Sequence, residues 1–142
     1  MSSFIDPNAA LSAKVIIIGE SNVGKSCLIN RFVNNKFKEL EPTIGLSYSK
    51  KQVHISKLNK SINFDIWDTS GQEKYRSLNK IFYKDARVAL LVYDITSKKS
   101  FDELKKFWLN ELVQNATENI GKLMIILNEI YYFSFYSCCY SC

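Results

Sequence analysis

At 142 residues and 46% apolar content, the chain has the size and composition of one globular domain able to bury a core. Its formal charge of +5 comes from lysines and arginines scattered among acids, with no basic block interleaved with aromatics, so no nucleic-acid partner is expected. No charged-then-apolar leader opens the chain, no apolar run reaches the ~18 residues that span a bilayer, and one histidine with four cysteines, three of them crowded at Cys138, Cys139 and Cys142, makes neither a zinc site nor a disulfide framework, which reads as a cytoplasmic, reduced protein.

Strand and helix signals then alternate along the chain. Residues 1–12 are polar and are expected to be a disordered N-terminal segment. The β-branched run at 14–19 predicts a first strand, and 25–34 a first helix. Two strands follow at 46–56 and 62–68, joined by a turn at 57–60; in the second, Ile62, Phe64 and Ile66 alternate with polar residues as a half-buried strand requires. Residues 73–84 read as a short helix. The continuous apolar run at 87–93 predicts a buried parallel strand. The spacing over 100–116 predicts a helix with Phe101, Leu104, Phe107, Trp108, Leu112 and Val113 on one side. A last buried strand is expected at 122–127. The pattern is that of a doubly wound α/β domain over residues 13–127, with its ligand at the carboxyl ends of the strands. Residues 128–142 form a compositionally foreign tail, rich in aromatics and cysteine and without Lys or Arg.

The chemistry sits between the first strand and the first helix. Gly19-Glu20-Ser21-Asn22-Val23-Gly24-Lys25-Ser26 reads G-x-x-x-x-G-K-S, and the strand–loop–helix order is the one a phosphate-binding loop needs. Glycines let backbone N–H groups turn onto a polyphosphate, Lys25 adds a point charge near the terminal phosphates, and Ser26 offers a hydroxyl to Mg²⁺. The alternative is a Gly-rich turn without a ligand. Cys27 is expected as a small hydrophobe buried in the helix that follows. Three more segments narrow the chemistry. Asp68, ending the third strand, can hold Mg²⁺ through water. Gly71 can offer an unobstructed N–H to a terminal phosphate, and Gln72 can orient a water in line with it. Thr43, in the loop after the first helix, can supply a second hydroxyl to the metal.

With these segments in order, the chain resembles the Rab branch of the Ras-like small GTPases. The resemblance is carried by residues 19–32, by Trp67-Asp68-Thr69-Ser70-Gly71-Gln72-Glu73-Lys74-Tyr75-Arg76-Ser77, by Leu91-Val92-Tyr93-Asp94-Ile95-Thr96, and by Ser100-Phe101-Asp102-Glu103-Leu104 with Trp108 beyond it. It implies the P-loop NTPase fold of small G proteins and a GTP/GDP switch with Mg²⁺ that directs vesicle traffic through effectors and exchange factors. It also implies nucleotide contacts from Ser21, Asn22, Val23, Gly24, Lys25, Ser26 and Cys27, with Phe37 packed across the guanine ring. Ser26, Thr43 and Asp68 would serve the metal, and Gly71 and Gln72 the terminal phosphate, Gln72 as the catalytic group. Partners would dock around residues 37–48 and 68–84. The family is peripheral on intracellular membranes.

The chain departs from the family at one decisive place. Where an Asn-Lys-x-Asp motif would read guanine, strand five is followed by Asn128-Glu129-Ile130-Tyr131. The sixth strand and last helix of the family are missing, so a C-terminally truncated chain or one with an aberrant C-terminus is expected. The loop from Phe32 to Thr43 is one residue short, and Leu40-Glu41 stands where a tyrosine often closes over the phosphates. Cys138 and Cys139 would tie the chain to a membrane only if prenylated, and their short spacing from strand five argues against it. Besides a slow GTPase-like switch, two other readings follow: a truncated, non-enzymatic product that interacts through its switch surface, and a weak nucleotide binder without base preference.

Overall fold

The computed structural model describes residues 11–37, 41–70, 80–116 and 120–127, with the backbone alone at 80–81 and 122–127. In chain order the elements are β1 (Leu11–Ile18), α1 (Lys25–Asn34), β2 (Leu46–Ile55), a 3₁₀ turn (Ser56–Leu58), β3 (Lys60–Thr69), α2 (Lys80–Tyr83), β4 (Val88–Asp94), α3 (Lys98–Glu103), a π-helical turn (Leu104–Trp108), α4 (Leu109–Asn115) and β5 (Gly121–Leu127). The five strands form one sheet in the order β2-β3-β1-β4-β5. Only the β2–β3 hairpin is antiparallel; β1 pairs in parallel with β3 and β4, and β4 with β5.

β1 shows why its sequence is continuously apolar. Ile16 and Ile18 face one side of the sheet and join a cluster with Ala89, Leu91, Phe82, Tyr83, Leu104, Trp108 and Leu112. Val15 and Ile17 face the other side and pack with Ile66, Val92, Val23 and Ile29. Both faces are covered, so no polar alternation survives in the strand. At the other extreme, β2 and β3 are long and polar on one face, where Gln52 donates to Asn63 (3.0 Å) and Tyr48 to Asp65 (2.5 Å) across the ladder.

Two boundaries differ from the sequence expectation for reasons visible in the structure. β1 begins at Leu11 rather than 14, because Leu11 and Ser12 continue the ladder opposite Ile62 and Asn63, and the Ser12 hydroxyl donates to Asp65 Oδ2 at 2.7 Å. The long helix begins at Lys98 rather than 100, capped by the Ser97 side chain, which accepts the Ser100 N–H. Within it, the wide π turn places Leu104, Trp108 and Leu112 fully inside, while Phe101 and Phe107 are half-buried. Val113, expected on the buried side, is instead 66% exposed, one residue around the helix from Leu112. Of the expected helix at 73–84, Lys80–Tyr83 is described and the rest lies outside the described residues.

Where β1 ends, the backbone of Gly19 runs against β4. Gly19 has φ +148°, and a Cβ placed there would lie 2.1 Å from the Val92 carbonyl oxygen. Both the angle and the contact require glycine. Gly19→Ala is therefore expected to lower the unfolding free energy by roughly 2–4 kcal/mol in urea denaturation, through backbone strain and forced separation of β1 from β4. An unchanged midpoint would show that the close approach is not needed.

Candidate functional site

A cleft of about 300 Å³ opens at the carboxyl ends of β1 and β3, where a doubly wound sheet places its ligand. One wall is the loop between β1 and α1, through Ser21, Asn22 and Gly24. The floor is the start of α1, through Lys25, Ser26 and Cys27. The opposite wall is Glu41, Pro42 and Thr43, and the end of β3 closes it with Thr69 and Ser70. The loop owes its shape to two left-handed residues, Asn22 (φ 63°) and Gly24 (φ 91°). Gly24 occupies the N-cap without offering a side chain, so no side chain caps the start of α1. Thr69 Oγ1 donates to the Ile17 carbonyl (2.8 Å), and the Ser70 N–H to the Gly45 carbonyl (2.8 Å), which fixes the end of β3 against its neighbours.

Lys25 is 6% exposed. Its ammonium donates to the carbonyls of Gly19 (2.9 Å) and Glu20 (2.5 Å), so it lies along the loop. Burial pushes its pKa down to about 8, against the pull of the Asp68 and Glu20 carboxylates.

Three oxygens meet beside it. Ser26 Oγ and Thr43 Oγ1 are 2.7 Å apart, Ser26 donates to Asp68 Oδ2 at 2.5 Å, and Thr43 donates to the same oxygen at 3.2 Å. Asp68 is 5% exposed. Its other oxygen, Oδ1, has no hydrogen-bond partner among the described residues. Burial pushes the Asp68 carboxyl above the usual range, while the Ser26 bond and the Lys25 charge oppose this. An unpartnered buried carboxylate oxygen beside two hydroxyls fits a hard divalent cation. Among the described residues no group of three His, Cys, Asp or Glu could hold a metal. One carboxylate and two hydroxyls suit Mg²⁺, which takes few protein ligands and completes its shell with water and phosphate.

The remaining expected site residues are placed as follows. Ser21, Asn22 and Gly24 line the cleft, as expected of phosphate-loop residues. Val23 does not present its side chain there: it is buried in the second core cluster with Ile29 and Val92, and anchors the loop from beneath. Cys27, expected to be buried, is half-buried and forms part of the cleft. Phe37 is 68% exposed and lies outside the cleft walls. Gly71, Gln72, the Asn128-Glu129-Ile130 segment and Cys138, Cys139 and Cys142 lie outside the described residues. Glu41, Thr69 and Ser70 were not anticipated as cleft residues; their only sequence signal is that they adjoin Thr43 and Asp68.

A model of the Ras family matches residues 14–130. "Ras-like GTP-binding protein RYL2" of Yarrowia lipolytica is 42% identical over 112 residues, covering 78% of this chain and 52% of that protein. "Putative ras-related protein Rab-5B" of Dictyostelium discoideum is 42% identical over 107 residues, covering 75% and 49%. "Ras-related protein Rab-1" of Theileria annulata is 42% identical over 113 residues, covering 79% and 50%. The chain spans about half the length of the curated relatives it matches.

The buried carboxylate makes a prediction about the metal-free chain. Asp68→Asn leaves Ser26 and Thr43 an acceptor and removes a charge that burial penalises by more than the Lys25 ammonium compensates, so in EDTA the variant is expected to melt at a higher temperature than the parent. If Mg²⁺ with nucleotide stabilises the parent in a thermal melt, the same variant is expected to lose that stabilisation. A variant stabilised by Mg²⁺ and nucleotide as fully as the parent would remove Asp68 from the metal site.

Proposed function

The chain belongs to the Ras family, as a Rab-like small GTPase, and on that premise we propose that it binds GTP and GDP with Mg²⁺, hydrolyses GTP slowly and regulates intracellular vesicle traffic. The observation that carries this reading is the meeting of Ser26, Thr43 and Asp68 beside buried Lys25, at an N-terminus of α1 that no side chain caps. Residues 13–127 are the proposed GTPase domain, and β1 extends it back to Leu11.

In this reading the backbone of residues 21–27 cradles the phosphates. Lys25 gives up its loop carbonyls for β- and γ-phosphate oxygens, exchanging two neutral acceptors for charged ones. Ser26 and Thr43 would supply hydroxyl ligands to Mg²⁺, and Asp68 would add the negative charge that holds it. Mg²⁺, when bound, neutralises charge on the β- and γ-phosphates. Gly71 donates its N–H to the terminal phosphate, and Gln72 orients the attacking water. Phe37, exposed and lying in the chain between the Ser21–Cys27 and Glu41–Thr43 walls, packs against the guanine ring. Effectors and exchange factors read the state of residues around 37–48 and 68–84. The chain acts in the cytoplasm and at intracellular membranes. Among the described residues no helix is long and apolar enough to cross a membrane, and Cys138 and Cys139 anchor it only if prenylated.

A second reading is favoured by one sequence observation. Asn128-Glu129-Ile130 offers neither the Lys nor the Asp with which the family reads guanine. Two charge-assisted hydrogen bonds to the base, each worth about 1.5–3 kcal/mol, are then lost. Binding through the phosphates alone is expected to leave GTP preferred over ATP by less than about tenfold. Competition between the two nucleotides on the purified chain with Mg²⁺ measures this, and a large GTP preference would overturn the base-unselective reading. In the same assay Lys25→Ala is expected to weaken both nucleotides by roughly 10- to 100-fold. Unchanged binding by that variant would overturn the phosphate-loop assignment itself.

A further inference from the structure

Glu20 is a negative residue inside a loop proposed to hold a polyphosphate. Its neighbours Ser21 and Asn22 line the cleft, yet Glu20 is not among the cleft's walls. Its carboxylate is turned the other way, where Oε1 accepts the indole N–H of Trp108 at 3.1 Å, across 88 positions of sequence. Trp108 is fully buried at the end of the π-helical turn, between Leu104 and Leu112. A buried indole N–H needs an acceptor, and the only polar end of that ring reaches the loop. The backbone carbonyl of the same Glu20 accepts the Lys25 ammonium. One residue therefore joins the long helix, through its side chain, to the phosphate-binding lysine, through its backbone.

We infer that Trp108 is a positioning residue for nucleotide binding: its indole N–H holds the Glu20 carboxylate on the helix side of the loop and keeps that charge out of the phosphate cleft. The inference rests on the proposed phosphate-binding function of the cleft. Its physical content is electrostatic. Released from Trp108, the carboxylate is one residue from the cleft wall and can swing toward the phosphates, where like charge at short range and reduced dielectric opposes binding. The π turn serves this contact, since it sets the helical register in which Leu104, Trp108 and Leu112 are all fully buried.

The test is a cycle of Trp108→Phe and Glu20→Gln, read as dissociation constants for Mg²⁺·GDP and for inorganic tripolyphosphate. Trp108→Phe keeps an aromatic ring and removes the donor; it is expected to weaken both probes by about 10-fold at low salt. The loss is expected to shrink at high salt, because the released charge is screened. Adding Glu20→Gln to Trp108→Phe is expected to restore binding to within about twofold of the Glu20→Gln chain, because the swinging group is now neutral. A role confined to core packing would give a loss that Glu20→Gln does not rescue and that salt does not change; either result overturns the inference. If Trp108→Phe does not fold, 3-benzothienylalanine at position 108 keeps the shape of the ring and removes only the N–H. Parental affinity in that chain would equally overturn the inference. A parent chain that binds neither probe would overturn the phosphate-binding function and the inference with it, whereas a parent that binds while the variants match it removes only the role of Trp108.

Discussion

Two opposite charges buried side by side, the Asp68 carboxylate at the end of β3 and the Lys25 ammonium at the start of α1, are the constraint around which the rest of the chain is organised. Among the described residues neither is fully satisfied. Asp68 has hydroxyl donors on one oxygen and no partner on the other among the described residues, and burial pushes its carboxyl up. Lys25 makes its bonds to two neutral carbonyls. Charges held this way destabilise a chain unless something else completes them. A cation at the carboxylate and an anion at the ammonium complete both at once, so the site is matched to an ion pair rather than to either ion alone.

The sheet supplies the geometry. β1 and β3 are parallel neighbours, with Ile17 opposite Asp68, so the loop that follows β1 opens next to the carboxylate that ends β3. Gly19 lets β1 leave the sheet while touching β4, and Thr69 ties β3 back to β1. Below the loop, Val23 and Ile29 are part of the same apolar cluster as Ile17 and Val92. The packing that forms the core thus also holds the loop rigid, and a polyphosphate would meet N–H groups already ordered.

Much of this was legible from residue patterns. The apolar runs of β1, β4 and β5 are long enough to be strands and too continuous to be half-exposed, and the loop's glycines and lysine stand at spacings that only a strand–loop–helix turn explains. Thr43 and Asp68 are each weak signals alone, and the fold brings both within hydrogen-bond distance of Ser26. Other features left no local trace. Leu11 and Ser12 are exposed and pair through backbone, so no hydrophobic pattern announces them. Val113 fits an ideal helical stripe, but the π turn places Leu112 inward and Val113 in water. The bond between Glu20 and Trp108 joins two segments whose neighbourhood exists only once the helix lies over the sheet. Lys25 folded along its own loop could not be anticipated from a motif that describes the ligand-bound role.

We propose that Ser26, Thr43 and Asp68 are one half of a metal site that a nucleotide completes. Titration of Mn²⁺ into the purified chain, followed by electron paramagnetic resonance with and without GDP, tests it most directly. The expected result is one Mn²⁺ bound per chain when GDP is present and little binding in its absence, because the phosphates supply the missing ligands. Mn²⁺ that remains free in the presence of bound GDP, or GDP that binds equally well in EDTA, would contradict it.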